Sequence, residues 1–318
     1  MEIVVHIGAH KTASTYIQTR LERNVVPLER HNIGYAYPKT LRPMFATAPR
    51  RDHAISRVAR GSARAWVLRN LFDNARDMRR ERLLISEEQL IGSLRPIMSG
   101  RGFYQDAGRE LKPLFRALQG QPVKVLLAVR SYESFFVSAY GQVLNGWKYM
   151  PFEQDLRETL LRDGRGWPEL AAEVMEALPP DSTLRFWCYE QFAEVEGAVF
   201  EELIGPDAAS ELSRVPGKPV PGPSQKAIDE IVAMAERGED LGPETIRRTM
   251  RLFGKDKGFA GFNPWAPEER TRLKERYLRD LEMMCQLWPG SFMTVGLGDV
   301  SAPSSGTTRP GHQSGVSM

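Results

Sequence analysis

The sequence predicts an α/β fold: a parallel β-sheet flanked by helices, with a C-terminal helical appendage. Three observations carry that prediction. Short β-branched runs alternate with segments of helical period along the first two-thirds of the chain. Several of those runs are apolar on both faces, the pattern of strands covered on two sides. Beyond Ser213 the strand signals stop and amphipathic helical sequence continues.

Residues 2–8, "EIVVHIG", read as a strand closed by glycine, and from Thr12 the residues Tyr16, Ile17 and Leu21 recur at helical spacing. Residues 33–52, rich in Pro, Tyr and Arg, show no period and read as a long exposed loop. His53 to Arg80 reads as an arginine-rich helix interrupted at Gly61 and Ser62, with Ile55, Val58, Trp66, Leu68, Leu71, Phe72 and Ala75 as its apolar face. "RLLISEE" (82–88) is a second strand, residues 105–118 a helix, and "VKVLLAV" (123–129) a third strand. After it "RSYESFFVSAYGQVLNG" opens with a polar turn and continues as a helix, with Phe135, Phe136, Tyr140 and Val143 inward and Gly146 as its stop. A helical segment at 168–178 precedes a fourth strand, "TLRFWCYE" (183–190), whose Trp187 and Cys188 face the two covers of the sheet. "RVPGKPVPGPS" is a loop, and "QKAIDEIVAMAERG" and "PEERTRLKERYLRDLEMMCQLW" are helices, the second with Met283, Met284 and Leu287 as core stripe. The expected organisation is one domain over 1–300, sheet core to about 213 and helical part to 300, followed by a disordered Ser/Gly/Thr/Pro tail at 301–318.

Composition narrows the function classes. With 43 Lys and Arg against 40 Asp and Glu the net charge is only +3, so the molecule as a whole is no obvious nucleic-acid binder. Two cysteines, Cys188 and Cys285, make neither a disulfide framework nor a zinc site, and point to a reducing, cytoplasmic setting. The apolar runs fall far short of the ~20 residues that a membrane span needs. Met1 and Glu2 lead straight into strand sequence, so no secretory signal is expected.

The chemistry concentrates in "HIGAHKTASTYIQ", where a strand gives way to a helix. A helix N-terminus presents unpaired N–H groups and the positive end of the helix dipole, a ready anion site. Lys11 adds a full charge there, and Thr12, Ser14 and Thr15 add hydroxyls. The simpler reading is a helix cap by Thr12 or Ser14 with a solvated Lys11. The turn lacks the G-x-x-x-x-G-K-[ST] spacing of nucleotide triphosphatases and the G-x-G-x-x-G of dinucleotide sites. A second basic position, Arg130, follows the third strand directly, with Ser138 eight residues later, so strand ends of a parallel sheet can bring two anion sites together.

In these motifs the sequence resembles the bacterial members of the sulfotransferase family that uses 3′-phosphoadenosine 5′-phosphosulfate (PAPS). That family carries a K-[ST]-G-[ST]-[ST] loop after its first strand and R-x(7)-S after a later one; here they read "KTAST" and "RSYESFFVS", with "LLISEEQL" and "LRFWCYEQF" at the intervening and following strands. The likeness covers about residues 1–195. It implies a P-loop-like sheet, PAPS as sulfuryl donor and the bisphosphate PAP as product. By position it assigns Lys11, Thr12, Ala13, Ser14 and Thr15 to the 5′ phosphosulfate, Arg130 and Ser138 to the 3′ phosphate, and Tyr189 to the adenine. Lys11 would also stabilise charge on the bridging oxygen as it leaves. No metal is expected. Ala13 departs from the family's glycine, so the loop is expected to avoid a left-handed backbone there or to bind less well.

The acceptor, a hydroxyl or amine of a glycan or small metabolite, needs a general base. Glu88 and His53 are the leading candidates by position, followed by His10; a helix cap or an arginine partner for Glu88, and a backbone contact for His10, are the plain alternatives. His6 reads as a packed core histidine. The arginine run between residues 50 and 82 reads as a solvated helix face, or as a lining for an anionic carbohydrate. Lys255 and Lys257 lie in a late glycine-rich loop that either closes over the 3′ phosphate or is a surface turn. The rival functions are a kinase-like phosphotransferase and an inactive nucleotide-binding scaffold of the same fold.

Overall fold

The structure, a computed structural model, describes residues 1–42, 54–147, 149–152, 154–162, 164–216 and 222–293, with the side chains of 54–64 set aside. Five strands, β1 (Glu2–His6), β2 (Ile33–Ala36), β3 (Arg82–Ser86), β4 (Lys124–Val129) and β5 (Thr183–Cys188), form one sheet in the order β2-β3-β1-β4-β5. Every pairing is parallel. The chain builds outward from β1 on one side, then crosses to β4 on the other. That reversal marks, at the carboxyl ends of β1 and β4, the crevice position in which open α/β sheets place their ligands.

The helices of the first half are α1 (Ser14–Arg23), α2 (Val25–Arg30), α3 (Pro38–Leu41), α4 (Ala54–Asp77), α5 (Leu94–Met98) and α6 (Ala107–Ala117). Those of the second are α7 (Tyr132–Gly146), α8 (Gln154–Leu161), α9 (Trp167–Ala177), α10 (Phe192–Ile204), α11 (Pro206–Ser210), α12 (Gln225–Glu236), α13 (Pro243–Leu252) and α14 (Pro267–Leu287). Strand side chains alternate between the covers. Val4, Leu84, Leu126, Ala128 and Trp187 meet Ile17 and Leu21 of α1 and Val199 and Leu203 of α10. Ile3, Val5, Ile85, Val125 and Leu127 belong to the larger core, which also holds Phe72 of α4, Leu111 of α6, Phe135 of α7 and Tyr277 of α14. The two helices that start at the crevice, α1 and α7, therefore leave it on opposite faces of the sheet.

Several sequence expectations are corrected. Residues 33–41 are not loop: Ile33–Ala36 pair with β3 as an edge strand and Pro38–Leu41 form a helical turn. Four residues that include Gly34 carry too little alternation to read as a strand. The remainder of that stretch, 43–52, lies outside the described residues, as does the 301–318 tail. Helix α4 runs unbroken through Gly61 and Ser62. A mid-helix glycine costs only about 1 kcal/mol, and Leu68, Phe72 and Ala75 anchor the helix to the larger core. Trp66, two residues before Leu68, falls on the opposite side and is 67% exposed. In α14 the buried stripe is Leu273, Tyr277, Leu281 and Met284, which leaves Met283 and Leu287 largely exposed. The fourth expected strand stops at Cys188, and Tyr189–Gln191 make a 3-10 turn. Trp187 and Cys188 do pack into opposite covers. Among the described residues no helix is long and apolar enough to cross a membrane.

Candidate functional site

Beyond the end of β1 the chain stays bound to β4: Ile7 and Ala9 donate to the carbonyls of Leu126 and Ala128 at 3.0 and 3.2 Å. Gly8 has φ +99, and a Cβ there would stand 3.0 Å from the Cβ of Glu88, so the turn passes directly against that residue. Lys11 (φ 63) and Ala13 (φ 68) are left-handed, on either side of Thr12, which is not. Alternating backbone hand turns successive N–H groups toward one concave side, a nest that attracts anions. Among the described residues, none of the N–H groups of residues 11–15 has an intramolecular acceptor. Ala13 is also the N-cap of α1, which adds the positive end of that helix. Of the two outcomes expected for alanine here, avoidance of the left-handed region is excluded: the turn adopts it, at a penalty of about 1 kcal/mol. Thr12 and Ser14 donate their hydroxyls to the Ala9 carbonyl, at 2.7 and 3.1 Å, and so brace the turn from beneath, while Thr15 is exposed.

Arg130 reaches the same turn from β4. Its Nη1 donates to the Lys11 carbonyl at 2.6 Å, its Nε to Ser134 Oγ at 2.9 Å, and its guanidinium lies 4.3 Å from the ring centre of Tyr189. Ser138 stands one helical turn beyond Ser134 on α7, half-buried. Glu190 fixes the start of α7, accepting from the Ser131 N–H and from the Tyr277 hydroxyl, both at 2.9 Å. Burial and then Arg130 hold the Lys11 ammonium below its ordinary value, with Glu88 opposing. Among the described residues no carboxylate lies within ion-pair distance of Lys11 or Arg130. Arg130 is thus tied to the same turn that carries Lys11, while Glu190 and Glu133 favour its charge from beyond ion-pair distance.

The acidic wall of the crevice comes from the end of β3. Glu87 is fully buried; it accepts from Arg42 Nε and the Gln89 N–H, each at 3.2 Å. Burial, then repulsion from Glu88, push its carboxyl up to about 7. Glu88 opens the 3-10 turn Glu88–Ile91, accepts from Gln18 at 3.1 Å and faces Arg42 at 3.5 Å. Burial works to raise its carboxyl, but attraction to His10 whenever that ring is charged, its own backbone N–H, Arg42 and Gln18 hold it below the ordinary value, so it is an ionised carboxylate at neutral pH. His10 is buried, with Nδ1 2.9 Å from the Tyr104 hydroxyl, and burial pushes its ring down to about 4. His6 packs in the core as expected, Nδ1 2.8 Å from Ser86 Oγ and its ring beside Trp187.

The fold therefore gathers Lys11, Thr12, Ala13, Ser14, His10, Glu88, Arg130 and Tyr189 around one crevice. His53 lies outside the described residues. Lys255 and Lys257 sit exposed on a single 3-10 turn. Sequence reasoning missed Glu87, Gln18, Arg42, Ser134 and Tyr104. The doublet in "ISEE" was a usable signal for Glu87; Tyr104, in a segment without period, gave none. Comparison with protein-family models, with curated proteins and with solved structures returns no match for this chain.

Proposed function

We propose that this chain is a PAPS-dependent sulfotransferase acting on a hydroxyl or amine. The observation that carries the reading is the nest of unbonded N–H groups on the turn that contains Lys11 and is gripped by Arg130, with no carboxylate of the described residues within ion-pair distance of either cation. Such a site suits a ligand with anionic groups at two ends. The donor's phosphosulfate would be held by the N–H groups of residues 11–15 and by Lys11, its 3′ phosphate by Arg130 and Ser138, and when bound it would supply the sulfuryl group.

The chain's own residues supply position and charge, which carry most of the catalysis in transfers of this kind. Lys11 sets its ammonium where negative charge gathers on the departing bridging oxygen. Glu88, ionised and against the turn, takes the proton from the acceptor. Its fixed partners, Gln18 and Arg42, orient the carboxylate for that step.

Calorimetry with PAP and with ATP on the wild type, Lys11→Ala and Arg130→Ala tests the reading. PAP is expected to bind at least tenfold more tightly than ATP, and each variant to weaken PAP by tenfold or more. Binding of ATP in preference would turn the assignment toward a phosphotransferase. Tight PAP binding with no transfer from PAPS to a broad acceptor panel would turn it toward a scaffold.

A further inference from the structure

Tyr104 lies between α5 and α6, in sequence far from the crevice, and its side chain is buried. Its backbone is pinned: Arg165 donates to the carbonyls of Phe103 and Tyr104 at 2.7 and 2.9 Å and pairs with Glu173. Its ring packs against Phe103 and Phe135. The hydroxyl thus arrives at His10 from a fixed support. It stands 2.9 Å from Nδ1 and 3.4 Å from the His10 backbone nitrogen.

Those two contacts determine where the imidazole proton sits. A backbone N–H can only donate, so the phenol oxygen accepts from it. If Nδ1 also donated to that oxygen, the phenol proton would need an acceptor elsewhere. Among the described residues the Tyr104 hydroxyl has none other than His10. Leaving a buried O–H without an acceptor is strongly disfavoured. The phenol therefore donates to Nδ1, and the neutral imidazole keeps its proton on Nε2.

We infer that Tyr104 is the positioning residue that holds the neutral His10 ring in its Nε2–H tautomer, and that on the sulfotransferase reading this N–H is a donor to the bound anion. A ring already accepting at Nδ1, with Nε2 protonated, has no free lone pair to remove a proton from an acceptor. His10 is then an electrophilic partner, donating to an anionic oxygen of the ligand held by its neighbour Lys11, and the proton-accepting role falls to Glu88. The catalytic part of this assignment rests on the sulfotransferase reading; the tautomer does not.

Long-range 1H–15N correlation spectra of the full chain with 15N-labelled histidine report the tautomer directly, with His10 assigned by the signal lost in His10→Gln. The wild type is expected to show neutral Nε2–H at pH 6 to 8, and Tyr104→Phe a mixture of tautomers, the ring of the variant still filling its packing site. An Nδ1–H or charged wild-type ring overturns the inference, as does an unchanged tautomer in Tyr104→Phe. PAP is expected to shift the Nε2 resonance, and a saturating titration that leaves it unmoved removes the donor role. In turnover, Tyr104→Phe is expected to lower kcat about tenfold with KM for PAPS within about twofold. His10→Gln, whose amide reaches the Nε2 position, is expected to retain more kcat than His10→Asn, whose amide reaches only Nδ1; the reverse order, or equal loss, overturns the donor role. If PAP does not bind at all, the sulfotransferase reading fails, and the tautomer measurement alone decides the Tyr104–His10 pairing.

Discussion

Ala13 shows how a single backbone angle can matter more than side-chain chemistry. Its left-handed conformation is what curls the N–H groups of the turn inward, and alanine pays for it with Cβ crowding that glycine lacks. Ala13→Gly is expected to raise stability by about 0.5–1 kcal/mol in urea unfolding; a loss would show that the left-handed turn is not the populated one. Glu87 carries a second residue-scale expectation. Its folded carboxyl titrates near 7 rather than the ordinary 4.5, so between those values the folded chain holds a proton that the unfolded chain has released. Its contribution to stability therefore falls as pH rises from about 4.5 to 7. Glu87→Gln removes that loss and is expected to stabilise the protein at pH 8 by up to about 3 kcal/mol, with little effect at pH 4. Thermal melts at the two pH values check it, and equal shifts at both would refute the titration.

At the scale of elements, the strand-turn-helix units were the legible part of the sequence. β1 with its turn and α1, and β4 with Arg130 and α7, are each written in contiguous residues, so period and punctuation reveal them. β2 was hidden because it is four residues long and pairs on one edge only. Tyr104 was hidden for another reason: its contact with His10 spans 94 residues, and nothing local encodes it. At Ala13 the residue type left two backbones open, and only the tertiary packing of the turn selects the left-handed one. The carboxylate of Glu190 is the pin between two of these elements, since it joins the start of α7 to α14 through Ser131 and Tyr277. Tyr277→Phe is expected to cost about 1.5–3 kcal/mol, the range for a hydrogen bond to a carboxylate, and to speed amide exchange at Ser131, with exchange in β1 unchanged. Equal acceleration in both would mark a global rather than a local loosening.

For the whole molecule, the sheet order determines what the site can be. A chain that crosses β1 on its way from β3 to β4 sends α1 and α7 to opposite faces and leaves their N-termini side by side. On the proposed sulfotransferase reading both cations face the ligand's charge, which makes thermal stability a binding assay. At about 100 times its dissociation constant PAP is expected to add about 2.7 kcal/mol to the folded state, read as a rise in Tm. Because Lys11 sits below its ordinary value of 10.5, that rise is expected to shrink at a lower alkaline pH than a free lysine would dictate. A ligand-induced rise that stays constant to pH 10.5 would place the needed charge elsewhere.

Arg130 adds a matter of counting. A guanidinium has five N–H groups, and Arg130 uses one on Ser134 and one on the Lys11 carbonyl, which leaves three. It can hold the turn in shape and grip an anion at the same moment. An ammonium, with three donors on one small centre, has no such reserve and no flat face to lay on Tyr189. A lysine at this position would have to choose between the loop and the ligand.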